Sequence, residues 1–310
     1  MKFAIGAIVK NEASSILEWV AYHRVIGIDH FFIADNGSQD GTLQILKGLE
    51  QQGLLTVFRF PTLGSQAPQL LAYKKILKLA KKDYCAVAFI DADEYLVPMD
   101  GSDSIRVYLT KWFINPENSA VALNWACFGS GGQLFKKPGL VIERFTLRFS
   151  QKRNHNRHYK TIVRPDRVES FYNPHMVKLI SGNYINVLEN ELIPHPKQQF
   201  GLSSESIWQP VRINHYVTKS LEEFLVRKSP AGSAATFGKE KHERYFNSHD
   251  HNDESCHVAA NLAPKVKDEI QKLDVLNNQY IQSSVKVQYW DHLKSKVSHY
   301  RALLRIWWLS

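Results

Sequence analysis

Three cysteines, Cys85, Cys127 and Cys256, with no CxxC spacing among them, exclude a disulfide framework and a zinc ribbon. They suit a reducing, cytoplasmic setting. Long hydrophobic runs are missing too, and no stretch approaches the ~20 apolar residues that cross a bilayer. The opening MKFAIGAIVKNEASS has too short an apolar run and no small-residue cleavage site for a secretory leader, so it reads as a first strand. Acidic residues are in short supply, 30 against 39 Lys and Arg, which gives a formal charge of +9. That excess favours an anionic partner, and nucleic acid, phospholipid and nucleotide diphosphate all qualify.

The positive charge lies in two blocks. Residues 136–167 hold ten Lys or Arg against Glu143 and Asp166, and the last twenty-five residues hold five against Asp291. Apolar residues, 44% of the chain, suffice for a large core. The apolar run 3–9 has the length of a buried strand. Ile16, Leu17, Val20 and Ile26 fall at helical spacing, with Asn11 as a candidate cap and Gly27 as the stop. Strands at 30–34, 54–60 and 84–90 then alternate with helices through Leu43, Leu46 and Leu49 and over 66–82. This alternation predicts an α/β fold whose parallel sheet is covered on both faces and binds ligands beyond the carboxyl ends of its strands. Further on, a strand over 120–128 leads into a turn at Gly129, Gly131 and Gly132. A strand over 211–217 precedes SerLeuGluGlu at 220–223, which has the spacing of a capping box.

Polar sequences stand where three strands should end: Lys10-Asn11-Glu12, Asp35-Asn36-Gly37-Ser38 and Asp91-Ala92-Asp93-Glu94. In extended chain, residues two apart project to one side, so Asp91 and Asp93 can face a single ion. Magnesium or manganese suits them, because these hard cations accept a few carboxylates and leave other positions to phosphate oxygens and water. The plain alternatives are an acidic turn at 91–94 and an Asx turn at 35–38.

IVKNEASSILEWVAYHRVIGIDHFFIADNGSQDGT, FIDADEYL, NWACFGSGG and INHYVTKSLEEF resemble segments of the family 2 and family 92 glycosyltransferases. The resemblance spans about residues 1–225, with the motifs in order and at similar spacing. It implies a GT-A fold, a Rossmann-like, mainly parallel sheet flanked by helices, here with a C-terminal helical extension. It also implies metal-dependent, inverting transfer from a nucleotide sugar, usually UDP-linked, to a cell-surface glycan or lipid-linked acceptor. Lys10, Asn11 and Glu12 would border the nucleotide, and Asp35 with Asn36 would lie near its base and ribose. Asp91 and Asp93 would hold the divalent cation (Mn or Mg) against the donor diphosphate, with His215 as the third metal ligand. A core histidine on the strand face of Val211, Ile213 and Val217 is the alternative for His215. Lys219 would touch the leaving diphosphate, or else simply be exposed before a helix.

An inverting transfer also needs a group that removes the acceptor's proton. Family 2 members carry a Glu-Asp pair after a Gly-Gly turn. Here Arg144 stands where the Asp would be, which leaves Glu143 as first candidate. His175 is second, because imidazole titrates near neutral pH. The basic residues 152–167, Lys160 and Arg164 among them, would meet donor phosphate or an acidic acceptor, or form a solvated face. His242, His249, His251, Cys256 and His257 lack zinc-site spacing and suit a lid instead.

The expected organisation is a catalytic domain over 1–227, with its nucleotide half at 1–98 and acceptor half at 99–227. A polar loop or lid at 228–262 and a helical, basic-aromatic tail at 263–310 follow. Within that tail, 301–309 mixes Arg with Leu, Ile and two Trp, as in a helix at a bilayer interface. That contact would place the chain at the cytoplasmic face of a membrane; packing on the domain is the alternative. Two rivals are weaker. A nucleotidyltransferase calls for a glycine-rich, basic phosphate loop where LysAsnGlu stands. A non-catalytic nucleic-acid-binding protein has no need of AspAlaAsp, so no nucleic-acid partner is expected.

Overall fold

Strand β1 (Phe3–Val9) is apolar on both faces of its pleat, which suits it to the middle of a covered sheet. Phe3, Ile5, Ala7 and Val9 enter the larger core, whereas Ala4 and Ile8 enter the smaller one behind the sheet. In this computed structural model, which describes residues 1–62, 67–195, 197, 200–229 and 241–283, the sequence alternation continues. It runs through α1 (Ile16–Val25), β2 (His30–Asp35), α2 (Thr42–Gln51), β3 (Leu55–Arg59), α3 (Gln69–Ala80) and β4 (Ala86–Phe89). β1 pairs in parallel with β2 and β4, and β2 with β3. A Cβ on Gly6 would stand 2.9 Å from both Ile76 and the Phe89 ring, so only glycine lets α3 lie this close to β1.

The second half is mixed. β5 (Glu94–Pro98), α4 (Arg106–Ile114) and β6 (Asn118–Cys127) come first, followed by α5 (Val141–Arg144), β7 (Leu147–Arg148) and β8 (Tyr159–Val163). β9 (Val168–Phe171), β10 (Val177–Leu179), β11 (Asn183–Asn186) and β12 (Val211–His215) follow. The chain continues through α6 (Leu221–Glu223), α7 (Glu243–His249), β13 (Glu254–Ser255) and α8 (Ala263–Ser283). The main sheet has the order β3-β2-β1-β4-β8-β6-β12-β5, with β11 beside β6. β8 lies inside it, antiparallel to both β4 and β6. The basic segment therefore supplies a central strand, and Lys160 is its second residue, fully buried. β12 runs parallel to β6 and antiparallel to β5, which brings His215 opposite Glu94. The expected α/β sheet, parallel in its first half and flanked by helices, is thus formed.

Polar side chains hold the described part of the expected loop, 241–262. Asp250 accepts from the Ser130 amide and hydroxyl, Asn252 from the Gly131 amide, and Asp253 pairs with Arg153. The Gly129 turn receives them: a Cβ there would stand 2.6 Å from the His251 carbonyl oxygen. Helix α8 packs on α1 and α2, burying Val266 and Leu273 and pairing Glu269 with Arg24 at 2.7 Å. Residues 284–310, with the Arg-Trp tail, lie outside the described residues. Among the described residues no helix is long and apolar enough to cross a membrane.

Candidate active site

β4 ends at Phe89, and the next five residues place three carboxylates at the mouth of the sheet. Asp91, whose side chain keeps 37% of its exposure, accepts from Lys160 Nζ at 2.8 Å and Gln69 Nε2 at 2.9 Å. Burial works to raise its carboxyl, but the Lys160 ammonium outweighs that and holds it below the usual range. Glu94 is fully buried. Its Oε2 accepts the Asp91 amide at 2.9 Å and lies 3.4 Å from Lys160. Burial first, then the carboxylates of Asp91 and Asp93, push Glu94 well above its ordinary value against the opposing pull of Lys160.

Asp93 has a separate set of partners. Lys228 Nζ donates to its Oδ2 at 2.7 Å, Arg227 Nη2 stands 3.9 Å away, and His215 Nε2 is 3.7 Å from Oδ1. Against the effect of burial, Lys228 and His215 hold Asp93 well below the carboxylate range. Burial lowers His215, leaving a neutral ring whose Nδ1 is buried without a partner among the described residues.

The other predicted nucleotide residues converge from the first two strand ends. Arg227 pairs with Glu12, whose amide donates to Thr42 Oγ1 at 2.7 Å. Asn11 does not cap α1, as the spacing suggested. It adopts φ 57°, accepts the Gln39 amide at 2.8 Å and so ties the 37–42 loop to β1. The helix begins later, after Ser15. Asp35 forms the Asx turn, with Oδ2 accepting from Gly37 and Ser38, while its Oδ1 is buried and unpartnered among the described residues. Asn36 accepts from Thr62 at 2.9 Å, and Lys10 is exposed. Lys219 is buried with φ 55°, and its Nζ reaches Ser15 Oγ at 3.3 Å. Burial, then Arg227, lowers it. Lys241 is pushed down to about 7 by burial and then by Lys228, and lies over the Tyr245 ring at 4.5 Å.

The two candidate bases part company. Glu143 closes the capping turn of α5 through the Leu140 amide and pairs with Lys267 of α8 at 2.6 Å. None of these partners touches Asp91 or Asp93. Arg144, in the position where family 2 has an acid, makes two 2.8 Å bonds to Glu223 and thereby joins α5 to α6. Against the effect of burial, Arg144 holds Glu223 down to about 2. The stability from this lowered carboxyl is full above its free value of about 4.5 and lost as pH falls toward 2. Urea midpoints of the parent should accordingly drop across that window more steeply than those of Glu223→Gln. Equal slopes would contradict the pairing.

His175 belongs with the carboxylates. Its Nδ1 is 2.9 Å from the Tyr159 carbonyl oxygen, and its ring lies 5.3 Å from His158 and 5.1 Å from Trp125. Trp125 in turn packs 4.2 Å from His215. Burial, then Lys160, pushes His175 down to about 3, although the Asp91 carboxylate opposes them. The ring is therefore neutral, and burial and the Lys160 ammonium both work against its protonation. Trp125 Nε1 and His158 Nδ1 are buried without partners among the described residues. Arg164 points elsewhere, to backbone carbonyls of Phe113, Asn115 and Asn118.

Sequence reading missed Glu94, Gln69, Trp125, Arg227 and Lys228. Glu94 stood inside the acidic motif. Arg227 and Lys228 are an ordinary basic pair until the fold sets them on Glu12 and Asp93.

Among the described residues no three His, Cys, Asp or Glu side chains form a ready metal cage. The donor set nonetheless fits a hard divalent cation that arrives with phosphate oxygens. Two carboxylates and one neutral imidazole, whose Nε2 lies 3.7 Å from Asp93 Oδ1, are available, and the Lys228 ammonium already occupies a cation position on Asp93.

Comparison with known proteins bears on the same region. A glycosyltransferase family 92 protein of Oryza sativa subsp. japonica is 26% identical over 204 residues, covering 63% of this chain and 33% of its own. One of Ricinus communis is 26% identical over 201 residues, covering 61% and 34%. The chain thus spans about a third of the length of these curated relatives. Among solved structures, S. aureus TarS residues 1–349 with UDP is 18% identical, covering 53% of this chain and 47% of that one at a TM-score of 0.32. Glucosyl-3-phosphoglycerate synthase from Mycobacterium tuberculosis, with Mn2+, UDP and glucosyl-3-phosphoglycerate, is 13% identical, covering 60% and 70% at a TM-score of 0.33. Likeness at that level carries nothing about ligands. The model of glycosyltransferase family 92 matches residues 6–229, well over half of the chain, and the chain belongs to that family.

Proposed function

We propose that the chain transfers a sugar, with inversion, from a UDP-linked donor to a hydroxyl of a cell-surface glycan or lipid-linked acceptor, using a divalent cation. Family membership supports the reaction class, and the pairing of Asp91 and Asp93 with buried cations at the mouth of the sheet carries the site. Asp91, Asp93 and His215 would hold the metal, which supplies positive charge for the departing nucleotide diphosphate. Arg227, Lys228 and Lys219 add charge on the same side, and Lys241 extends it. Lys10, Asn11, Glu12, Asp35 and Asn36 border the nucleotide, where the unpartnered Oδ1 of Asp35 is ready to accept a donor hydroxyl.

For the base we take His175 ahead of Glu143; the reading is supported by the Lys160 and Asp91 charges acting on His175 and by the Lys267 pairing of Glu143. His175→Gln should keep UDP binding and lose transfer by about 10²-fold or more, and Glu143→Gln should stay within about threefold of the parent. The opposite pattern in initial rates would return the role to Glu143.

The reading as a whole is tested by release of nucleoside diphosphate from a panel of nucleotide sugars with Mn2+, with and without EDTA. Release from at least one donor, abolished by EDTA, is expected. Release from none would overturn it.

A further inference from the structure

Two cavities of about 400 Å3 each adjoin at the far end of β5 and β12. They share Gln151 and Ser206 and so form one groove. At ~3.3 Å per residue, the six residues from Asp93 to Met99 on its rim put it roughly 20 Å from the carboxylate mouth.

The groove is built around two arginines. Arg148 and Arg212 both stand over the Trp208 indole, 4.5 and 4.7 Å from the ring, which fixes their planes. Arg212 is 1% exposed. Its guanidinium donates to Asn214 at 2.9 Å and to Cys256 Sγ at 2.9 Å, and among the described residues no carboxylate comes within ion-pair range. Arg148 is paired with Glu254 at 2.5 Å, yet its Nε is buried without a partner among the described residues. The adjoining cavity adds Lys152 and Arg157 against Glu205 and Glu254, so the lining has four cations and two acids.

Burying a guanidinium charge without a counter-ion is costly, and a chain that does so gains by accepting an anion there. We propose that this groove binds an anionic group, a carboxylate or phosphate, carried by an extended acceptor glycan at a distance from the hydroxyl that receives the sugar. The proposal rests on the glycosyl-transfer reading for its choice of acceptor. Lysine and arginine at 148, 152, 157 and 212 set the preference for charge, and the length of the groove sets the preference for a chain over a free ion.

Calorimetric titration of the full chain with three oligosaccharides of equal length, an oligouronate, a phosphorylated oligoglucoside and a neutral oligoglucoside, tests it. One anionic oligomer at least should bind about tenfold tighter than the neutral one and weaken as salt rises. Which anionic oligomer wins separates carboxylate from phosphate. Lys152→Gln, at an exposed position, and Arg148→Gln should each weaken that binding by about threefold or more, with UDP affinity unchanged. Should Arg148→Gln fail to fold, Lys152→Gln alone decides. Equal binding of charged and neutral oligomers, no anionic binding, or full anionic binding by Lys152→Gln would overturn the proposal. Anionic binding in a chain that releases no diphosphate from any donor would leave the groove standing and remove glycosyl transfer instead.

Discussion

Asp93→Asn should lower turnover by about 10²-fold or more, since in the proposed reaction several kcal/mol of charge stabilisation on the leaving diphosphate would come from the cation that Asp93 would help to hold. Asparagine is the informative replacement. It keeps an oxygen for the Lys228 ammonium, 2.7 Å from Asp93 Oδ2, whereas alanine would strand that buried cation. The urea midpoint of the variant, measured alongside initial rates, separates lost chemistry from lost fold. Parent-like turnover in a folded Asp93→Asn protein would remove Asp93 from the metal site.

The second large effect is on stability. Lys160 is fully buried in β8, donates to Asp91 at 2.8 Å and stands 3.4 Å from Glu94. Lys160→Met removes the cation that lets Asp91 stay ionised beside Asp93 and Glu94. Breaking a buried pair costs ~3–5 kcal/mol, and the lower end applies because Asp91 keeps 37% of its exposure to water. Urea denaturation reads this directly. Adding Asp91→Asn to Lys160→Met should recover part of the loss, because the two residues share one interaction. A single variant as stable as the parent would mean that Asp91 does not depend on Lys160.

The nucleotide half was legible because its signals are local. Apolar runs of strand length, helical spacing and the stop at Gly27 located β1 to β4 to within a few residues, and the motif Asp91-Ala92-Asp93 fell at a strand end as periodicity required. In the acceptor half β6, β12 and the capping box at Ser220 were legible, and the rest was not, for two physical reasons. β8 carries Lys160 as its second residue, and a buried lysine satisfied by carboxylates from 69 and 66 residues away breaks the apolar pattern that identifies a central strand. The 241–262 segment is held by Asp250, Asn252 and Asp253 through hydrogen bonds to a distant turn, and such contacts leave no period in the sequence.

The site divides in the same way. The carboxylates and His215 could be named from strand ends, while the cations that balance them came from β8 and from the residues after α6. Arg144 shows how a departure from a family pattern becomes intelligible. Where an acid would belong to catalysis, the guanidinium instead locks Glu223, and the neighbouring Glu143 is drawn to Lys267. In the proposed reaction His175, whose ring feels the Asp91 carboxylate, takes the base's role instead.

The most direct test of the metal-held diphosphate is calorimetric titration of UDP into the parent protein with Mn2+ and again with EDTA. The expected result is binding about tenfold or more tighter with Mn2+, a difference that disappears in Asp93→Asn. Equal UDP affinity in Mn2+ and EDTA would contradict the assignment of Asp91 and Asp93 as the residues that hold a cation against the donor.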